Sequence, residues 1–413
     1  MSTTLPDVNV IEENGNLGRS EAQADGTSGL LATGVAVSGK FALGDVLGPY
    51  TTPEDADADG INAAYDVTNT CMVYQHIADF YDKPANRGTL LYVMVVAKTV
   101  TLTQMCTYTN AYAAKLLEQT EGKIKLLGVT RVPDGGYTAT VLKGFDDDAF
   151  TAIAKAQELA ESEWSKHRPV RILVEGRDFQ GSASGLEDLR DLASTPAANK
   201  VGVVIAANTT ISAVRTANNE YAAVGYALGV MASLPVQRNI GRVLNGALSI
   251  VAEEAGFSNG SNISTQNDTN TELMNKKGYI FFRKHAQKSG IFFNDDHAAC
   301  KISDDYAYLS NGRIIDKAAR ITRQVYVENI LDDFDVDAAT GKIAPAVLKQ
   351  YQGAVENEIN SQMVVPNEIV SVKATVDPNQ DVQSTDKVVV GIKLRKKGTQ
   401  RYLEANLGFA TTN

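Results

Sequence analysis

Several short groupings in this sequence contain residue types able to do chemistry. Gly34-Val35-Ala36-Val37-Ser38-Gly39-Lys40 has the G-x4-G-K spacing with which a glycine-rich loop cradles phosphates. Such a loop continues with a Ser or Thr hydroxyl for Mg²⁺ and opens onto a helix. Here Phe41 follows, and Phe41–Gly48 shows no helical pattern, so the glycines read as a strand and turn. Asp295-Asp296-His297 and Ser303-Asp304-Asp305 offer oxygen and nitrogen donors. Adjacent side chains rarely converge on one hard cation, and both groups read as surface loops. The histidines (His76, His167, His285, His297) and cysteines (Cys71, Cys106, Cys300) show neither metal-ligand nor disulfide spacing. The cysteines read as buried, reduced thiols. There is no G-x-S-x-G, no Cys/His nucleophile pattern and no complete dinucleotide fingerprint. No catalytic, cofactor-binding or metal-binding residue is assigned, and an enzyme is not expected.

Charge is the more informative signal. The chain has 413 residues and a formal net charge of −10, which argues against a nucleic-acid binder. Against that balance, Arg313, Lys317, Arg320 and Arg323 line one flank of a helical pattern from Ser310 to Ile330. The apolar stripe of that helix is Ile314, Ala318, Ile321 and Val325. The flank is either a solvated face with acidic partners or a docking face for an acidic protein. A second basic group, Lys393, Arg395, Lys396, Lys397 and Arg401, lies near the C-terminus. It complements the acids of the N-terminal stretch, Glu12, Glu13, Glu21 and Asp25.

The elements that position these groups follow from periodicity. Hydrophobic residues make up 44% of the chain, enough for a sizeable core, and the length suggests two folding units. Strands are expected over Leu30–Phe41, Leu90–Ala97, Lys123–Val129, Val170–Glu175 and Lys200–Ala206. Helices are expected over Asp66–Lys83, Thr109–Gln119, Asp148–His167 and Asn219–Leu234, with a short acidic helix or turn at Pro53–Ile61. This alternation predicts an α/β layer with a largely parallel sheet. Gly256–Asn270 reads as a loop, and Tyr279–Phe282 with Ile291–Phe293 as a hairpin joined through Lys284–Lys288. After the cationic helix comes another helix, Ala344–Met363.

Three alternating strands close the chain. Their inward faces are Val370 to Val376, then Val388, Val390, Ile392 and Leu394, then Leu403 to Phe409 including Leu407. Lys396–Thr399 is expected to turn the last two into a hairpin, and Asp377–Asp386 to let that hairpin reach another subunit. At the other end Val8 and Val10 form one short strand before a polar stretch, Glu13–Asp25. It is either a frayed terminus or an arm that pairs with a sheet edge elsewhere. The N-terminus lacks the basic start and apolar core of an export leader. Leu90–Ala97, the longest apolar run, is too short to span a bilayer.

The order of an apolar hairpin, then SDDYAYLSNGRIIDKAARI, then a helix ending at Met363 and a β-rich terminus resembles contractile tail sheath proteins of phages and related injection systems. Asn311 to Ala318 is the most specific part, and LATGVAVSGKFALGDV with HIADFYDKPANRGTLLYVMVV matches more loosely. The resemblance implies an α/β domain at 26–245, an α+β sheath core domain at 246–385, and arms at 1–25 and 386–413. It implies copies stacked as rings in a helical cylinder around an inner tail tube, between a baseplate and a tail terminator. Contraction from a metastable state, without ATP hydrolysis, comes from the resemblance alone. So does a place in a virion tail or phage-like particle assembled in a bacterial cytoplasm. Under it, Arg313, Lys317, Arg320 and Arg323 face the tube, and Val8, Val10, Val388, Val390, Ile392, Leu394, Leu403 and Leu407 pair between subunits. No cofactor, nucleic acid or membrane insertion is implied. The alternative is an α/β nucleotide-binding protein or enzyme using the Gly34–Lys40 loop.

Overall fold

Short β-branched runs with no polar alternation belong in a sheet buried on both faces. The structure, a computed structural model, has that sheet; it describes residues 25–192, 197–214, 220–333, 335–337, 342–380 and 382–405. In chain order the strands are β1 (Ser28–Gly34), β2 (Val46–Tyr50), β3 (Leu91–Ala97), β4 (Leu126–Val129), β5 (Arg171–Glu175) and β6 (Val201–Val204). They form one sheet in the order β2-β3-β1-β4-β5-β6. Five strands, β3 through β6 in that order, run parallel and β2 is an antiparallel edge. Side chains alternate between layers. Leu30, Ala32, Val93 and Val95 face the side of α1 (Ala63–Asn69) and α2 (Val73–Phe80). Leu31, Met94, Leu127 and Ile172 face α3 (Leu102–Cys106), α4 (Ala113–Gln119) and α5 (Asp147–Ser165).

The single helix expected over Asp66–Lys83 is two helices. Thr70 takes a left-handed φ of 49° and ends α1, and buried Asp66 then accepts from the backbone N–H groups of Tyr74 and Gln75 at the start of α2. Against α2 lies the all-buried α7 (Val224–Ala232), which follows α6 (Thr209–Val214). A Cβ on Gly225 or Gly229 would fall 2.3 Å from the carbonyl oxygen of His76 or Phe80. The two glycines therefore set how closely these helices cross.

The expected loop at Gly256–Asn270 contains structure: β7 (Ala206–Asn208) pairs antiparallel with β8 (Ala255–Phe257), and α8 (Asp268–Lys276) begins inside it. The hairpin is β9 (Phe282–Lys284) with β10 (Ile291–Phe293), so its first strand lies further along the chain than Tyr279–Phe282. Tyr279 to Phe281 are buried, and Ile280 bridges in parallel to Val204. Ile280, Phe282, Phe293, Ala298 and Leu309 share one hydrophobic cluster with Leu30 and Val93. The expected boundary at 245 therefore does not divide the core; the α/β unit runs on to about the start of the next helix.

That helix, α9 (Leu309–Tyr326), opens a second unit with α10 (Pro345–Ile359), β11 (Ile369–Val376), α11 (Val382–Thr385) and β12 (Val390–Lys396). Ile314, Ala318 and Ile321 of α9 pack with Val355, Ile359, Met363, Ile369 and Ala374. β12 pairs antiparallel with β11, setting Ile392 opposite Ala374 and Leu394 opposite Val372. Among the described residues β12 thus pairs with the strand before it, and no strand follows it. Residues 402–405, Leu403 included, are exposed and lie outside any strand, and Leu407, Val8 and Val10 lie outside the described residues.

Candidate functional site

The junction between α9 and the parallel sheet gathers a dense set of buried charges. Gly312 leaves room on α9 for the guanidinium of Arg171, from β5; a Cβ there would sit 2.3 Å from its Cζ. One turn later Asp316 accepts two hydrogen bonds from Arg171, from Nε at 2.6 Å and Nη2 at 2.7 Å. Both side chains are almost wholly buried, at 3% and 4% exposure. This forked pair is the strong geometry for a buried arginine and carboxylate. The Gly312 and Asp316 of the NGRIID segment thus grip the sheet.

The N-terminus of α9 is capped from a distance. Tyr308 provides no side-chain cap, and instead Asp296 accepts from Ser310 N–H at 2.7 Å through its carboxylate and from Leu309 N–H at 2.8 Å through its carbonyl. Asp296 and His297 are buried, which corrects the surface-loop reading of Asp295-Asp296-His297. Burial, helped by the neighbouring Asp295 carboxylate, pushes the Asp296 carboxyl up to about 7. Burial pushes the His297 imidazole down to about 3, so it is neutral. Its Nδ1 accepts from Arg190 and its Nε2–H donates to Asn275 at 3.0 Å. Arg190 also donates to the carbonyls of Ala298, Cys300 and Ala307, holding the strand-to-helix turn together. Asn239 donates to both Asp295 and Asp296. Arg401, from the C-terminal segment, pairs with Asp295 and stacks on the Tyr308 ring, 3.3 Å from its centroid. Despite its burial, Asp295 stays below the usual carboxylate range through His297 and Arg401. The Ser303-Asp304-Asp305 group remains at the surface, where Asp304 accepts from Tyr306 N–H.

The cationic flank of α9 is mostly occupied within the subunit. Arg313 is buried and donates from Nη2 to the Leu234 carbonyl at 3.0 Å; burial pushes its guanidinium down to about 10. Lys317 pairs with Asp25 at 2.7 Å and Glu368 at 2.9 Å, and Arg320 with Asp25 at 2.6 Å. Arg323 alone of the four is exposed. An open face of four cations is therefore not what the subunit presents. The acidic partner of Lys317 and Arg320 is the root of the N-terminal stretch, which the sequence had matched to the basic C-terminal group instead.

Elsewhere the chemistry-bearing groups are absorbed by the fold. After Gly34 the chain makes a turn, with Val37 bridging Phe41, and then enters β2, so no helix N-terminus faces exposed Lys40. The carboxyl edge of the sheet, where open α/β folds bind ligands, is filled by its own side chains. Glu175 accepts from Arg131 N–H at 2.7 Å and Ala222 N–H at 2.8 Å, and burial pushes its carboxyl up to about 7. Thr33 and Val132 bridge β1 to the segment after β4. All three cysteines are free and buried. Among the described residues, no group of three or more His, Cys, Asp or Glu is placed to hold a metal ion, and no helix is long and apolar enough to cross a membrane.

Sequence and structure comparisons fit this two-unit build. The family model described as DUF2586, N-terminal domain, matches residues 5–297, and that of the DUF2586 C-terminal domain matches 305–413. No curated protein sequence matches the chain. Among solved structures the chain is similar to the helical sheath of the anti-feeding prophage (AFP) in its contracted state, at 14% identity and a TM-score of 0.62, covering 100% of both chains. It is similar to the sheath complex of the extracellular contractile injection system PVC in its contracted state, at 11% identity and a TM-score of 0.60, covering 100% of this chain and 99% of that one. A chain of the six-fold symmetrised AFP baseplate matches at 13% identity and a TM-score of 0.60, over 99% of this chain and 100% of that one. The fold is that of these contractile-system chains, from the first strand of the sheet through the C-terminal unit.

Proposed function

Because the chain belongs to the DUF2586 family and has a contractile-sheath fold along its full length, we propose that it is the structural sheath subunit of a contractile tail or injection device. The observation that carries this reading is the likeness to sheath chains of two systems over essentially the whole of each chain, C-terminal unit included. Many copies stack helically around an inner tube, between a baseplate and a terminator, in a virion tail or phage-like particle. The subunit works by changing its packing, with no catalysis. Buried pairs such as Arg171–Asp316 support that role, because they tie α9 of the C-terminal unit to the sheet.

Strand addition is the proposed link between copies. The β11–β12 ladder has two strands, and among the described residues neither outer edge is paired. An unpaired edge is a template for another chain's strand. Val8 and Val10 of one neighbour and the segment from Leu403 to Leu407 of another are the proposed additions, flanking Val388, Val390, Ile392 and Leu394. Of the four α9 cations, Arg323 is the one left for contact with the tube.

Electron microscopy of the concentrated protein tests this directly. Long hollow cylinders with regular axial striation are expected. Nucleotide-dependent thermal stabilisation that is lost in Lys40→Ala, without any tubes, would instead favour the phosphate-loop alternative.

A further inference from the structure

The two ends of α9 carry opposite charges, several of them unpaired among the described residues. At its N-terminal end a cleft of 530 Å³ opens between the Gln237–Leu244 segment, the β9–β10 hairpin and residues 396–402, with Asn311 and Ile314 of α9 in its wall. Arg238, Arg283 and Lys397 line it, and none has an acidic partner among the described residues. Leu244 and Tyr402, 81% and 90% exposed, add apolar surface at its rim. Just past the C-terminal end of α9, Glu328, Asp332, Asp333 and Asp335 are all exposed, and no cation pairs with them among the described residues. Glu328, two residues past the last turn of α9, is unfavourable for a helix end that favours cations, so helix stability does not account for it. Beside these acids Ile330 is 61% exposed and Leu331 fully exposed, with a left-handed φ of 64°. A leucine held that way, with its side chain in water, is the kind of strain kept at functional contacts.

We propose that the acidic, apolar tip of one copy, made by Glu328, Ile330, Leu331, Asp332, Asp333 and Asp335, docks into the basic cleft of the next copy, head to tail along α9. This deepens the assembly reading above, on which it rests. Eighteen residues at a rise of about 1.5 Å place tip and cleft about 27 Å apart along one rigid helix. A contact between different patches at opposite ends of a rod is heterologous, and repeats without closing. The macrodipole of α9 has the same polarity as the charges, positive at the cleft and negative at the tip. Ile330 and Leu331 meet Leu244 and Tyr402, and the carboxylates meet Arg238, Arg283 and Lys397. A charge-led contact of this kind selects partner and register, and releases when copies are re-stacked.

Charge reversal tests the pairing. One variant carries Asp332→Lys with Asp333→Lys, the other Arg283→Glu with Lys397→Glu; all four sites are at or near the surface, and near-UV circular dichroism checks the fold. Each variant alone should need at least about tenfold more protein to assemble than wild type, since like charges then face each other. A one-to-one mixture should regain the wild-type threshold, because the reversed tip fits the reversed cleft and the native tip fits the native cleft. Either variant assembling at the wild-type threshold, or a mixture no better than its parts, overturns the contact while wild-type tubes leave the assembly reading standing. If wild-type copies form no tubes, carbodiimide coupling of isotopically mixed protein decides. A cross-link between copies joining Lys397 to Asp332, Asp333 or Asp335 supports the contact and leaves the assembly reading to fail by itself. Its absence overturns both.

Discussion

Arg171 and Asp316 illustrate why a buried pair holds best when complete. Their two hydrogen bonds of 2.6 and 2.7 Å offset the cost of taking both charges out of water. Asp316→Asn leaves the guanidinium buried without its counter-charge, and should cost about 3–5 kcal/mol in urea denaturation. Arg171→Met with Asp316→Leu removes both charges and should recover most of that loss; a double variant as unstable as Asp316→Asn would contradict this account. The neighbouring Asp296 and His297 bring pH into the same junction. Asp296 keeps its proton up to about pH 7 when folded, against 3.8 ordinarily, so its contribution to stability is present below 3.8 and is lost as pH rises through 7. His297 is displaced the other way, to about 3 from 6.5, so its contribution is lost as pH falls from 6.5 through 3. Between 3.8 and 6.5 the two slopes oppose each other. Asp296→Asn leaves the histidine slope unopposed, and stability should then climb with pH across that window by up to about 1.4 kcal/mol per unit more than in wild type. Denaturation midpoints at stepped pH read this, and parallel curves for the two proteins would refute it.

Elements in this chain are fitted to each other by small residues as much as by large ones. The α7–α2 crossing depends on Gly225 and Gly229, each against a backbone carbonyl that cannot move without shifting α2. Gly229→Ala should therefore destabilise by about 1–3 kcal/mol through overpacking. Gly353 in α10 has nothing within 4 Å of where a Cβ would go. Gly353→Ala should stabilise by roughly 0.5–1 kcal/mol through helix propensity alone. Thermal melts of the two variants should move in opposite directions, and shifts of the same sign would mean the crossing is looser than described. The β11–β12 ladder has a complementary arrangement: Ile369, Ala374 and Val376 are buried, while its outer edges are open among the described residues. An element so built is stable inside one subunit and still able to accept a strand.

At the scale of the molecule, α9 ties the two units together. Arg171 ties it to the sheet, Asp296 caps it, Glu368 at the foot of β11 reaches Lys317, and Asp25 reaches Lys317 and Arg320. The root of the N-terminal stretch is thus anchored at Asp25. Deleting Met1–Ala24 should leave a monomer with an unchanged melting temperature and abolish tube formation. A truncated protein that still makes wild-type tubes would remove the N-terminal strand from the assembly scheme.

Much of this was legible without coordinates, for physical reasons that differ by region. The apolar runs at Leu91–Ala97 and Arg171–Glu175, with long amphipathic stretches between, require an α/β layer whatever their neighbours are. The helix over α9 and its stripe of Ile314, Ala318 and Ile321 follow from local periodicity in the same way. Phe41, in place of a magnesium-binding hydroxyl, already spoke against a phosphate loop. What local patterning does not encode is which distant group meets which. Asp295-Asp296-His297 looks like a surface cluster until Ser310, Asn239, Arg190 and Arg401 arrive from four other parts of the chain. The cations of α9 look like a docking face until Asp25, Glu368 and the Leu234 carbonyl cover three of them. β12 alternates equally well whichever strand it pairs with, and only tertiary packing against α9 and α10 chose β11. Sequence by itself determined the elements and their apolar faces, because both depend on spacing within a few residues. Tertiary structure decided the partners of the charges and of the last strand, because burial and pairing are set by groups beyond the local window, from Val390 against Val376 to Arg320 against Asp25.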